Sequence, residues 1–352
     1  MSEILIYGSY GYTGELIVAR MRERGLRPLL AGRNTDALRS QADRYGLDYR
    51  VVRQADSAAL AGAMGEARAL LNCAGPFIHT YRAAVRACLA KGAHYLDITG
   101  EIPVFEGLAV LDAEARRQEI MLLPGTGFDV VPTDCLAAHL KERLPEARSL
   151  ALAFYGGGGL SRGTRRTMAE GLGEPGAARR EGRIIQIPPA WHERRIDFGD
   201  GRTRTAVTIP WGDVSTAFYS TGIPDIEVYT VMPRSSRRML RATRYVGWML
   251  RFPLLRRWLV ARAGRGPAGP SDERRERSES LLWGEARDPH GRVAVSRLRC
   301  ENGYTLTARS AVTIAERVLG GQFKPGFQTP SRVYGADFIL ELGGHWTDDP
   351  IR

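Results

Sequence analysis

The chain opens with a short apolar run, Ile4-Leu5-Ile6-Tyr7, that passes directly into Gly8-Ser9-Tyr10-Gly11-Tyr12-Thr13-Gly14 and then into a helix-patterned segment from Glu15 to Arg24. A strand, a glycine-rich turn and a helix in immediate succession leave few folds open, because together they form a seat for a pyrophosphate. Gly8 allows the sharp turn, Gly11 lets main chain approach phosphate oxygens, and Gly14 lets the helix pack close to the strand. The helix N-terminus aims its free N–H groups at the anion. The spacing is G-x-x-G-x-x-G, a variant of the G-x-G-x-x-G dinucleotide fingerprint. In a chain with 40 glycines a bare triplet means little. Its position between a strand and a helix carries the reading.

The second strand, Arg27-Pro28-Leu29-Leu30-Ala31, ends in Gly32-Arg33-Asn34. Proteins that prefer NAD place a carboxylate about 20 residues past the glycines to bind the adenosine ribose hydroxyls. Here the position offers Arg33, whose guanidinium can pair with a 2′-phosphate and stack on adenine. The competing acid, Asp36, falls in the first turn of the next helix, Thr35 to Tyr45, where a negative charge is favoured. The expected cofactor is therefore NADP(H) rather than NAD(H).

At 352 residues the chain is long enough for two domains. Its formal charge of +11 points to anionic partners such as phosphorylated cofactors, acyl thioesters or membrane surfaces. The arginines are spread along the chain and no nucleic-acid-binding module is recognisable, so nucleic acid is not an expected partner. No apolar run is long enough to span a bilayer, and the first strand begins too early to leave room for a leader, which gives a cytoplasmic expectation. The cysteines at 73, 88, 135 and 300 and the six histidines show no metal-ligand spacing. No metal is expected.

Strand and helix patterns alternate through the first third. Strands are expected at Tyr49 to Val52, Ala69 to Cys73, His94 to Asp97 and Ile120 to Leu123, with helices at Ser57 to Gly65, Tyr81 to Lys91 and Leu108 to Gln118. That alternation specifies an α/β fold with a Rossmann doubly wound parallel sheet over residues 1–130. A helix over Asp134 to Leu144 follows. Strand-like runs then come at Leu150 to Tyr155, Ile184 to Ile187, Thr205 to Ile209, Glu227 to Met232, Val293 to Cys300 and Tyr304 to Ala308, before a helix at Ser310 to Leu319. They read as a second α+β domain, residues 131–322, built on a mostly antiparallel sheet and supplying a substrate pocket and a homodimer surface. The tail, 323–352, is apolar enough to pack back on the first domain.

Residues 237–262 stand apart, with arginines alternating with Met239, Leu240, Tyr245, Trp248, Leu254 and Trp258. Pro253 breaks the run into two amphipathic helices. Such a composition suits peripheral contact with a membrane or a lipid-facing lid. A helix pair packed on the second domain or across a subunit interface has the same pattern.

Three more motifs fall at expected strand ends, where open α/β sheets bind ligands. They are Asn72-Cys73-Ala74-Gly75-Pro76-Phe77, His94-Tyr95-Leu96-Asp97-Ile98-Thr99-Gly100-Glu101 and Pro124-Gly125-Thr126-Gly127-Phe128-Asp129 continuing to Asp134. With the opening glycine loop they resemble the saccharopine dehydrogenase-like NADP-binding oxidoreductases, and within them the trans-acting enoyl reductase branch. The resemblance covers residues 1 to about 135. It implies that Cys73, Ala74, Gly75, Pro76 and Phe77 line the nicotinamide half of the cofactor, with Phe77 walling the ring. The family often has a glycine or alanine near position 81, where this chain has Tyr81.

Reduction of a polarised double bond needs a hydride from the nicotinamide and a proton from a positioned acid. Tyr81, Tyr95 and Asp129 are the named candidates for that acid, with His79 and Asp97 behind them. Asp129 and Asp134 serve equally well as caps of the helix near Thr133, and Asp97 and Glu101 as groups that hold their loop. The basic, tryptophan-bearing segment tilts the substrate toward a small acyl or lipid-like molecule, enoyl or keto. A saccharopine-type dehydrogenase acting on an amino-acid adduct, and a non-catalytic dinucleotide-binding membrane-associated protein, are the alternatives.

Overall fold

The computed structural model describes residues 3–53, 56–156, 158–250 and 252–352; Arg251, within the basic segment, and Gly157, in the glycine run after Tyr155, lie outside them. In chain order the first elements are β1 (Ile4–Tyr7), α1 (Tyr12–Glu23), β2 (Leu29–Gly32), α2 (Thr35–Tyr45), β3 (Tyr49–Val51), α3 (Ser57–Met64), β4 (Ala69–Asn72), α4 (Tyr81–Lys91), β5 (His94–Asp97), α5 (Ile102–Ala109), α6 (Asp112–Arg117) and β6 (Met121–Leu123). Next come α7 (Val131–Arg143), β7 (Ser149–Gly156), α8 (Arg162–Glu170), β8 (Gly176–Arg180), β9 (Arg183–Ile187), β10 (Glu193–Asp197), β11 (Thr203–Thr208), α9 (Asp213–Thr221) and β12 (Asp225–Val231). The last are α10 (Arg234–Leu250), α11 (Pro253–Ala263), α12 (Asp272–Glu276), β13 (Glu279–Arg287), β14 (Val293–Glu301), α13 (Gly303–Leu319), β15 (Gly326–Phe327), α14 (Pro330–Tyr334), α15 (Phe338–Glu341) and β16 (His345–Asp348).

Two units result, one of residues up to Val131 with Gly303–Val333, the other of Pro132–Asn302 with Tyr334–Arg352. The first holds a parallel sheet in the order β15-β6-β5-β4-β1-β2-β3. β1 lies at the point where the order reverses, with Leu5 opposite both Leu29 and Leu70. Its four residues and those of β4 are all buried, which is why both read as unbroken apolar runs. This is the doubly wound sheet expected from the alternation.

Several boundaries differ from the sequence expectation. The helix expected over Leu108 to Gln118 is two helices, α5 ending at Ala109 and α6 beginning at Asp112, whose carboxylate accepts the Phe327 N–H at 2.8 Å and tethers β15. Tyr304 to Ala308 is not a strand: it is the first part of α13. Its Tyr-Thr-Leu-Thr alternation mimics a two-residue period, but buried Leu306, Ser310, Ala311, Ile314, Ala315 and Val318 trace one helical stripe. The domain limit at 322 also moves. α13 and β15 belong to the first unit, whereas β16 of the expected tail pairs with β14 in the second.

The second sheet runs β10-β11-β12-β7-β13-β14-β16, with β8 and β9 attached beside β12. β7 and β12 are parallel and the other neighbours antiparallel. β8, β10, β13 and β16 went unread in the sequence because arginines, acids or Gly284 interrupt their apolar pattern. Gly284 has a packing role: a Cβ there would stand 2.5 Å from the Leu140 Cδ1 of α7. The sheet curls over its other face. Arg194 of β10 donates to the Glu285 carboxylate of β13 at 3.0 Å, and Arg297 of β14 to the Asp197 carbonyl at 3.0 Å. Ile196, Phe198, Ala206, Tyr229, Leu281 and Trp283 fill the fold so made, over Ala151 and Ala153 of β7. Trp283→Ala is expected to cost about 3–5 kcal/mol, read as a lowered urea midpoint.

Candidate functional site

The glycine loop joins β1 to α1 at the carboxyl edge of the parallel sheet. Gly8 has φ +84°, and a Cβ on it would lie 2.8 Å from the Ala74 main chain. A side chain there would therefore force the loops after β1 and β4 apart. A Cβ on Gly14 would lie 2.5 Å from the Ser9 carbonyl oxygen and 2.6 Å from that of Gly8, so α1 can sit this close only with glycine. Gly11 is the N-cap of α1 and brings no side-chain cap, unlike Asn34 on α2 or Asp56 on α3. The end of α1 is thus left to be closed by an anion. Tyr12 and Thr13 form its first turn, and the Tyr12 ring packs edge-on against Tyr304 of α13, 5.1 Å between centroids. Ser9 is turned inward and wholly buried, its carbonyl accepting from Gln41 at 3.0 Å.

Tyr10 makes a contact that the glycine pattern does not disclose. Its ring lies on Gly32, where a Cβ would be 2.5 Å from Cε1, and its hydroxyl accepts the N–H groups of Arg33 at 3.3 Å and Asn34 at 3.2 Å. The phosphate loop and the loop after β2 are fastened together by one phenol. The Arg33 side chain is exposed. Asn34 spends its side chain on the cap of α2, accepting from Ala37 at 3.1 Å.

The loop after β4 is held by three side chains. Asn72 is buried and accepts the Ala74 N–H at 3.0 Å while donating to Thr80 at 3.0 Å, and Thr80 donates to the Ala74 carbonyl at 2.8 Å. The Glu101 carboxylate accepts from the N–H groups of Phe77 and Ile78 at 2.8 and 2.9 Å. Gly75 and Pro76, joined by a cis bond, and Phe77 are thereby presented at the sheet edge beside Gly8. Cys73 donates its N–H to the Tyr7 carbonyl at 2.7 Å, and burial pushes its thiol pKa well up, so it stays a neutral thiol. Asn72 heads the motif and Thr80 lies just beyond it, and the sequence pattern assigns neither a role.

Asp97 links the ends of β5 and β6. It accepts from the Tyr95 hydroxyl at 2.7 Å, the Thr99 N–H at 3.0 Å and the Gly125 N–H at 2.8 Å. Burial pushes its pKa up to about 7 against the pull of these donors. Tyr95 is completely enclosed, and burial together with Asp97 holds its hydroxyl well above the usual range. Tyr81 is buried too. Its hydroxyl occupies the space a Gly107 side chain would need and accepts from Arg82 at 2.9 Å, so the departure at position 81 is absorbed by α5. His79 is exposed on the short helical turn Phe77–His79.

Asp129 lies against Gly100, where a Cβ would be 3.1 Å from both its Cβ and its Oδ2. Burial, with the negative charge of Glu101, pushes its pKa up to about 7. Asp134 falls inside α7, which starts at Val131, ahead of the helix start expected near Thr133. α13 closes this side. Thr307 accepts the Phe128 N–H at 2.9 Å, Ser310 donates to the Thr126 carbonyl at 2.7 Å, and Gly303 leaves room for the Phe128 ring. Among the described residues no cluster of His, Cys, Asp and Glu could hold a metal.

A doubly wound sheet with a glycine loop, an uncapped α1 and a second loop pressed against the first defines a dinucleotide-binding domain. Residues 4–123 match the family model of the saccharopine dehydrogenase NADP binding domain. The trans-acting enoyl reductase of Mycobacterium ulcerans (strain Agy99) is 30% identical over 152 residues, 41% of this chain and 36% of that protein. A lipid droplet localized protein of Caenorhabditis elegans is 28% identical over 190 residues, 48% of this chain and 45% of that protein. The chain thus spans less than half the length of these relatives. Apo saccharopine dehydrogenase (L-Glu forming) from Saccharomyces cerevisiae superposes with a TM-score of 0.69 over 99% of both chains at 11% identity, a likeness of fold.

The two raised carboxyls have a thermodynamic consequence. Each binds its proton more tightly folded than unfolded, where Asp titrates near 3.8. Their contribution to stability is whole below that value and is lost as pH rises toward 7. Asp129→Asn should therefore remove part of the decline in urea midpoint between pH 4 and 7, with the difference from wild type widening as pH rises and levelling above about 7.

Proposed function

We propose that the chain is an NADP(H)-dependent oxidoreductase that reduces a polarised double bond, enoyl or keto, of a small lipid- or polyketide-like substrate. The observation that carries the reading is the placement of Asp129, a carboxyl set against Gly100 at the same sheet edge as the glycine loop, its pKa pushed up to about 7 by burial and by Glu101. When bound, the nicotinamide supplies a hydride to one end of the double bond. The chain must then deliver a proton to the other end, and an acid with a pKa near the working pH is suited to that. Tyr95 and Tyr81, both enclosed, are positioning and packing residues in this reading. Asp97 and Glu101 fix the loops, and the main-chain groups of 74–77 line the nicotinamide side.

Gly8, Gly11 and Gly14 hold the pyrophosphate on α1, and exposed Arg33 meets the 2′-phosphate, its loop held in place by Tyr10. The acyl character of the substrate draws support from the names of the relatives at about 30% identity.

With unsaturated acyl thioesters, NADPH oxidation is expected for wild type, and turnover only with 2-oxo acid plus amine pairs would overturn the reading. Asp129→Asn is expected to lower kcat about 10²- to 10⁴-fold with NADPH affinity nearly unchanged, and wild-type kcat should fall as pH rises above about 7. Arg33→Ala should weaken NADPH about 10- to 100-fold, as loss of a charge-assisted pair does, and leave NADH affinity as it was. Equal losses for both cofactors in calorimetry would refute the phosphate role.

A further inference from the structure

Between Pro233 and Ser271 arginine is the only charged residue type. Within this stretch α10 and α11 have two unlike sides. The inward side of α10 carries Ser236, Leu240, Thr243, Gly247 and Leu250, spaced by fours and threes, with Thr243 and Gly247 buried. Gly247 is pressed on Gly173, where a Cβ would lie 2.6 Å from the Gly247 carbonyl oxygen. Arg244 donates to the carbonyls of Pro189 and Ala190 at 2.8 and 2.6 Å, and Arg237 and Arg241 pair with Glu193. α10 is thereby anchored to the second unit.

The outward side is apolar and aromatic. Tyr245 is 80% exposed, Trp248 64%, Phe252 58%, Leu254 81% and Trp258 57%. Trp248 and Phe252 touch edge to face at 6.1 Å, and the Arg262 guanidinium lies 5.7 Å over Trp258. Soluble monomers seldom leave so large an apolar patch to water. No helix among the described residues is long and apolar enough to cross a membrane. A two-fold contact between copies of this face would set arginine against arginine with no acid in the segment to offset them. An anionic headgroup layer complements both the charge and the aromatic rings, which favour the membrane–water boundary.

We propose that α10 and α11 form a docking surface for anionic lipid bilayers, with Trp248, Phe252, Leu254 and Trp258 entering the headgroup region and the outward arginines meeting lipid phosphates. The proposal does not depend on the reductase reading, and its test needs no cofactor or turnover. The full chain is sedimented with vesicles of phosphatidylcholine alone, or with about 30% phosphatidylglycerol, at low and at roughly 0.5 M salt. Binding at least tenfold stronger to the anionic vesicles and weakened by salt is expected. The combined variant Trp248→Ser, Phe252→Ser, Leu254→Ser should lose at least tenfold in binding with its circular dichroism and melting unchanged. The pair Arg256→Glu, Arg257→Glu should lose the preference for phosphatidylglycerol. Absence of binding, equal binding by the serine variant, or a wild-type dimer that this variant converts to monomer without any vesicle binding would overturn the proposal.

Discussion

In the nucleotide unit Gly8 is pressed against the main chain of Ala74, and the rest of the site is arranged around that approach. A methyl group at Gly8 would meet main chain, which has no rotamer to yield. With hydrogen there instead, the loops after β1 and β4 share one crevice at the point where strand order reverses. A pyrophosphate on α1 and a ring beside 74–77 can then belong to one extended ligand. Hydrogen bonds keep the two loops in register with their surroundings. Tyr10 fastens one to the loop after β2, and Glu101 fastens the other to the end of β5.

Behind the crevice lies a layer of buried polar groups that are largely satisfied by main chain. Asp97 collects donors from Tyr95, Thr99 and Gly125, and Asn72 and Thr80 bridge the turn after β4. Buried polar networks of this kind are costly when incomplete and rigid when complete. Asp129 lies against Gly100, and burial together with the neighbouring Glu101 carboxylate favours its protonated form.

Much of the first unit was legible because its physics is local. Continuous apolar strands, the glycine turn, and α4 from Tyr81 to Lys91 follow from period and turn chemistry over a few residues. What escaped depended on partners distant in sequence. Tyr10 reads as one more loop residue until Gly32 is seen beneath its ring, and Tyr81 as a pocket residue until Gly107 is seen to receive it. Tyr304 to Ala308 offered β-branched alternation, and only the stripe continued from Leu306 to Val318 exposes it as helix. In the second unit β10 and β13 carry charges that face each other across a curled sheet, so neither has a clean alternating pattern.

α13 and β15 complete a sheet domain whose other strands lie within the first 123 residues. Glu316 pairs with Arg24, Leu319 accepts from Arg68, and Phe327 extends the sheet beside Leu122. On the ribosome, the nucleotide fold would wait with one flank bare while some 170 intervening residues are made, a delay set by contact order rather than by propensity. Maturation of the cofactor cradle is consequently coupled in time to synthesis of the second unit.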